Sequence, residues 1–313
     1  MIKIRQVSPL SGELKAAQTA LAAGDYPKAY ALYLDHAGDN PLAQFSLGLL
    51  DQYGWGRPVD RVAACRWQEQ AAKGGIPAAQ QALADCLRQG IHRPADAAAA
   101  AHWYEEAARS GILYALCSLG EMTLRGEGVA KDPRKAIALC GEAAQKGSVS
   151  AQVALARLYL APELNDPASA FHWFQIAAEG HSPVAQFELG RMLLEGVGHA
   201  KDLPSARAWF ETAASQGYLP AYLPTASLYF DAPVDPETQS LSAADLAKAY
   251  LWLAAAARRL EGEPQAQASR MLDRVIERMP PTWRPDLDQR VTAHLRMLEP
   301  PAPGLSAGNG AQP

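Results

Sequence analysis

No apolar run in this 313-residue chain approaches the roughly 18 residues that a membrane-spanning helix needs, so direct membrane insertion is not expected. A basic excess is also missing. Lysine and arginine number 29 against 33 acidic residues, the net charge is −4, and the pI is about 6.0. Nucleic acids and anionic membranes call for clustered positive charge, so neither is an expected partner. The opening residues, MIKIRQVSPLSGELK, lack the apolar stretch and small-residue cleavage site of a secretory signal. Only four cysteines occur, Cys65, Cys86, Cys117 and Cys140, and none forms a C-x-x-C pair. They are expected to be reduced and packed as small apolar residues. Together these absences point to a cytoplasmic protein.

Catalytic signatures are scarce as well. The chain has no G-x-S-x-G, no H-E-x-x-H, no phosphate loop and no dinucleotide fingerprint. Its histidines are His36, His92, His102, His172, His181, His199 and His294, and no two share the i, i+4 spacing of metal ligands on one helix. The expectation is a protein that is not an enzyme and carries no cofactor and no metal.

What is present is a period. Ala43, Ala79, Ala115 and Ala151 stand 36 residues apart, with Ala185 and Ala221 continuing after steps of 34 and 36. A second comb runs in phase: Trp67, Trp103, Leu139, Trp173, Trp209 and Trp252, each followed four residues later by Ala-Ala. A fixed period between about 20 and 50 residues is the mark of stacked supersecondary units. The stretch ALCSLGEMTLRGEG places Ala115, Leu119 and Met122 on one helical stripe, with Gly120 beside them where a neighbouring helix can approach. Gly126 and Gly128 end that helix. Asp132-Pro133 then supplies an N-cap and a first-turn proline for a second helix, RKAIALCGEAAQKG. Glycine pairs recur as Gly54/Gly56 and Gly196/Gly198, while the unit starting at Ala79 keeps Gly90 and has His92 second. Cap aspartates recur as Asp60, Asp96, Asp132, Asp166 and Asp202. The tryptophans share the phase of the Ala-Ala pairs and are expected to fill the core between helices.

The predicted architecture is all-α: a right-handed α-solenoid of stacked antiparallel helix pairs. Its expected parts are a lead over 1–11, an irregular helix pair over 12–40, about six repeats over 41–260, capping helices over 261–299 and a disordered tail over 300–313. The leading helices are expected at Glu13–Ala23 and Pro27–Ala37. The closing ones are expected at Leu246–Leu260, Pro264–Met279 and Pro285–Leu298.

The segments ALCSLGEMTLRGEGVAKDPRKAIALCGEAAQKG and AQFELGRMLLEGVGHAKDLPSARAWFETAASQG resemble the Sel-one-like repeat family, a branch of the tetratricopeptide superfamily. That family's pattern is A-x-x-x-L-G, then G-x-G-V, K-A and W-x-x-x-A-A. The fourth unit departs from it with APELND in place of the glycine loop. The sixth departs with the insertion DAPVDPETQSLSAAD and with Thr225-Ala226 in place of Leu-Gly. The resemblance implies a non-enzymatic scaffold or adaptor that binds protein or peptide partners. An alternative it also implies is an accessory factor of bacterial envelope or exopolysaccharide machinery with hydrolytic activity. A self-assembling array is a third reading, and the oligomeric state is left open. Cysteine-rich members staple the two helices of each unit by disulfides; the irregular cysteine positions here imply no such stapling.

In a right-handed helical solenoid the first helices line a concave groove. Three columns are expected there. One runs through Leu49, Asp85, Glu121, Arg157 and Arg191 and changes sign along the chain. A second includes Arg125. A third, with Phe45, Cys117, Val153 and Phe187, offers apolar contact. Phe45, Leu49, Asp85, Glu121, Arg125, Arg157, Phe187 and Arg191 are the candidate partner-binding residues. Such a groove suits an extended peptide or a helix with apolar anchors and an acidic side.

Overall fold

A computed structural model describes residues 12–238 and 240–298; the expected lead and tail lie outside the described residues. Every regular element among the described residues is helical. The chain divides into two compact units, split between Ala151 and Gln152. In the first, α1 (Gly12–Ala22) and α2 (Tyr26–Asp35) precede three helix pairs: α3 (Pro41–Tyr53) with α4 (Arg61–Lys73), α5 (Pro77–Gln89) with α6 (Ala97–Arg109), and α7 (Leu113–Arg125) with α8 (Pro133–Gln145). Helix α9 (Val149–Leu160) crosses the division. The second unit holds α10 (Pro167–Glu179), the pairs α11 (Pro183–Glu195) with α12 (Leu203–Ser215) and α13 (Leu219–Phe230) with α14 (Ala243–Arg259), and two further helices packed on α14, α15 (Gly262–Arg278) and α16 (Arg284–Met297). Within each unit the second helix of one pair packs on the first helix of the next: α4 on α5 and α6 on α7, then α10 on α11 and α12 on α13.

Local chemistry sets the helix ends. The carboxylates of Asp60, Asp96, Asp132, Asp166 and Asp202 each accept the backbone N–H three residues on, at 2.9 to 3.1 Å. This bond satisfies one of the donors that a helix N-terminus leaves open. Gly126 ends α7 in the left-handed conformation (φ 74°). Two glycines have a steric task. A Cβ on Gly120 would stand 2.8 Å from the Ala136 carbonyl oxygen, so its absence sets the α7–α8 approach. A Cβ on Gly128, whose φ is +67°, would stand 2.3 Å from the backbone carbon of Ala97 at the start of α6. A column of buried glutamines adds polar links: Gln44 donates to the Ala37 carbonyl at 2.8 Å, and Gln186 to the Ala178 carbonyl at 3.2 Å.

The core phase differs from the expectation by one residue. Trp67, Trp103, Trp173 and Trp209 are half-buried at the edge of the packed face, whereas Trp252 is buried. The fully enclosed side chains are those that follow: Gln68, Tyr104, Cys140, Phe174, Phe210 and Leu253. In α10 the buried stripe is Ala170, Phe174, Ala177 and Ala178. Its members lie at i, i+4, i+7 and i+8, and the tryptophan one position earlier is turned about 100° away.

The cysteine expectation is overturned. Cys65 is bonded to Cys86 and Cys117 to Cys140, so none of the four is free. The second bond staples α7 to α8 within one pair. The first joins α4 of one pair to α5 of the next. Such bonds persist in oxidising surroundings, so the cysteines no longer support a cytoplasmic placement.

Candidate functional site

The candidate residues fall in both units, and each unit has its own surroundings. In the first unit Phe45 lies half-buried against the cluster built on Ala71, Leu83 and Tyr104, and Leu49 is half-buried on α3. Asp85 does not present a bare carboxylate, because it accepts the Tyr104 hydroxyl across the α5–α6 interface. Burial pushes the Asp85 carboxyl above the ordinary aspartate range, although Tyr104 and Arg88 oppose it. Burial and that same carboxylate together raise the Tyr104 hydroxyl.

Glu121 and Arg125 belong to a four-membered ionic cluster. Arg88 reaches Glu121 at 2.9 Å and Glu127 at 3.0 Å, while Arg125 reaches Glu121 at 3.0 Å and Glu127 at 3.5 Å. Burial would raise Glu121, but the bond and charge of Arg88, with Arg125 behind, hold it below the ordinary glutamate range. The cluster ties α5 to α7 and the loop after it.

In the second unit Phe187 packs its ring against Phe210 and Tyr218 at 5.5 and 5.6 Å between centroids. Arg191 is held by Glu188 at 2.9 Å and Glu195 at 3.2 Å, both on its own helix. Arg157 is different: it is exposed on α9 and makes no ion pair among the described residues. The third column is mainly interior, with Cys117 and Val153 buried.

Sequence reasoning missed a second constellation in the first unit. Cys65, Cys86 and His92 bring their ligand atoms within 4.8 Å of one another. The His92 side chain is 4% exposed, and its Nε2 lies 3.1 Å from the Glu69 carboxylate on α4. Lys73 and Arg93 bind that carboxylate too, at 2.9 and 3.4 Å. These partners hold Glu69 below its ordinary range against the opposing pull of burial. A cavity of about 140 Å³ adjoins, lined in part by Cys65, Cys86, Gln68 and Asp85. The signal in the sequence was His92 itself, standing where other units have their second glycine.

The model of the Sel1 repeat matches five segments, 41–76, 77–112, 113–148, 149–182 and 183–218. Among curated proteins none matches the chain. Solved structures are similar to it, among them these two. A Sel1 repeat protein from Oxalobacter formigenes shares 26% identity with a TM-score of 0.60, over 79% of this chain and 100% of its own. A protective antigen present in uropathogenic Escherichia coli strains, displaying an SLR fold, shares 23% identity with a TM-score of 0.57, over 96% of this chain and 66% of its own. The second likeness is one of fold alone. The pair α13–α14, with its inserted loop, lies beyond the five matched segments.

Proposed function

The chain belongs to the Sel1 repeat family, and on that premise we propose that it is a non-catalytic adaptor that holds a protein or peptide partner on its first-helix faces. Sel1 repeats mediate protein–protein interactions, and stacked helix pairs present such faces as fixed surfaces. The observation that carries the reading is Arg157. An exposed guanidinium on a helix that contains no acidic residue, with no ion pair among the described residues, is a donor fork ready for a partner's carboxylate. Arg125 and Arg191 would first have to give up carboxylates of their own. The partner expected is therefore acidic where it meets α9.

Affinity purification from native cells with the intact chain identifies the partner, and titration of that purified partner then gives a Kd. Arg157→Glu should weaken the Kd at least tenfold while stability changes by no more than about 0.5 kcal/mol, as for other unpaired surface positions. An unaltered Kd would remove α9 from the binding face.

A further inference from the structure

We propose that Cys65, Cys86 and His92 form a site for a soft divalent cation, zinc being the fitting one, which opens when the Cys65–Cys86 disulfide is reduced. The inference does not rest on the adaptor reading. Two thiolates and one imidazole are a donor set that zinc takes in tetrahedral geometry, with the fourth position left to water or another ligand. The three ligand atoms already stand within 4.8 Å of one another.

The histidine is prepared for the task. Its Nε2 faces the Glu69 carboxylate at 3.1 Å, and its Nδ1 is buried without a hydrogen-bond partner among the described residues. With the proton on Nε2 and donated to Glu69, the Nδ1 lone pair is free. Metal-bound imidazoles are commonly oriented by such a carboxylate on the far nitrogen. Gln68, 1% exposed, lines the adjoining cavity with neither its amide nitrogen nor its amide oxygen paired among the described residues. Buried polar atoms left open in this way are costly, and together they mark a place for a polar occupant. The other disulfide supplies the contrast. Near Cys117 and Cys140 no histidine completes a ligand set among the described residues.

The chemistry balances with a dithiol as reductant. The S–S bond breaks, each sulfur gains one electron and one proton, and the dithiol closes into its own disulfide. Zinc then displaces the two thiol protons to solvent and forms two Zn–S bonds of about 2.3 Å and one bond to Nδ1. Tetrahedral geometry puts the two sulfurs about 3.8 Å apart. The Cα atoms of Cys65 and Cys86 stand 5.9 Å apart, which leaves room for the sulfurs to separate by side-chain rotation. The link between α4 and α5 would then hold in either redox state, covalent when oxidised and metal-bridged when reduced.

The test uses the full chain, reduced with dithiothreitol, freed of reductant without oxygen and titrated with Co²⁺ as the optical probe. One equivalent should bind with a thiolate-to-cobalt charge-transfer band that Zn²⁺ then abolishes by displacement. The variant Cys117→Ser/Cys140→Ser should keep the band, and Cys65→Ser/Cys86→Ser should lose it. His92→Ala should weaken cobalt binding at least tenfold, and Glu69→Gln by about 10- to 100-fold through the orientation of His92. Circular dichroism of each reduced protein reports whether the helices persist. The proposal is overturned if the reduced chain shows no thiolate band, or if it loses its helices and Zn²⁺ does not restore them. It is equally overturned if the band follows Cys117 and Cys140, or if His92→Ala leaves the affinity unchanged.

Discussion

The second repeat (α5–α6) and the third (α7–α8) are built to one length and use the same aspartate cap, yet their loops reach backward by different means. After α7 the loop runs Gly126-Glu127-Gly128, and Gly128 lies so close to the start of α6 that a Cβ would strike the Ala97 backbone. After α5 the loop runs Gly90-Ile91-His92, and His92 reaches α4 through the Glu69 carboxylate. Each loop thus grips the second helix of the preceding repeat. On that helix the third repeat does so by shape and the second by polar chemistry, while Glu127 of the third repeat's loop pairs instead with Arg88 on α5. Among the described residues the polar grip leaves a ring nitrogen and an amide unpaired beside two cysteines.

The largest expected effect tests the grip by shape. Gly128→Val imposes left-handed backbone on a β-branched residue and drives its side chain into Ala97. Strain and overpacking together should cost about 4 kcal/mol, measured as a shift in urea midpoint. His92→Gly, the reciprocal change, should cost about 2 kcal/mol, from the lost Glu69 contact and the space left behind, with no backbone strain involved because the His92 φ is not positive. Equal costs for the two would mean that both loops rely on shape.

The disulfides sharpen the same comparison. Their sequence separations, 21 and 23 residues, are nearly equal. Loop entropy therefore assigns about 3 kcal/mol to each on replacement of either pair by serine. After reduction the two should part company: zinc should restore stability to the Cys117→Ser/Cys140→Ser variant and leave Cys65→Ser/Cys86→Ser unchanged. Thermal midpoints with and without one equivalent of zinc check this.

What could be read in the sequence was what is local. The cap aspartates act on a backbone N–H three residues away, and the glycine pairs act within a single turn, so their spacing alone revealed the helix pairs. The tryptophan comb showed which residues recur but not where the packed stripe is centred; the neighbouring Phe174 and Phe210, one step along the helix, hold the interior. The Cys65–Cys86 bond was out of reach for a related reason. Cys65 and Cys86 lie on different repeats, and only the α4–α5 packing brings them together. Periodicity placed Asp85, Glu121 and Arg191 on one column without showing that each already has an intramolecular partner. Arg157 alone of that column's charges lacks an ion pair or hydrogen bond among the described residues.

Cap removal is a smaller effect and should be even across the two repeats. Asp96→Ala and Asp132→Ala each lose one side-chain bond to a helix N-terminus, at 2.9 and 3.0 Å, and each should cost about 1 kcal/mol in the same denaturation assay. A marked inequality would show that the loop before one helix bears on its cap.

The smallest and most discriminating effect is the response to acid. Glu69 and Glu121 both have folded-state carboxyls held below their ordinary range, so both bind protons less readily in the folded chain than in the unfolded one. Their contribution is present above the unfolded value and is lost as pH falls through the folded value. Asp85 has the opposite sign. Burial raises its carboxyl, the unfolded chain releases that proton first, and stability falls as pH rises from the unfolded value through the folded one. Urea midpoints taken from neutral pH down to about pH 3 should therefore show a shallower acid loss for Glu69→Gln and Glu121→Gln than for the parent. Asp85→Asn should show a steeper one, because it removes the term that favours the folded chain in acid. If Asp85→Asn instead flattens the acid limb, the Tyr104 hydroxyl and Arg88 outweigh burial at that carboxylate, and Asp85 belongs with the ionic cluster of Arg88 rather than with the core.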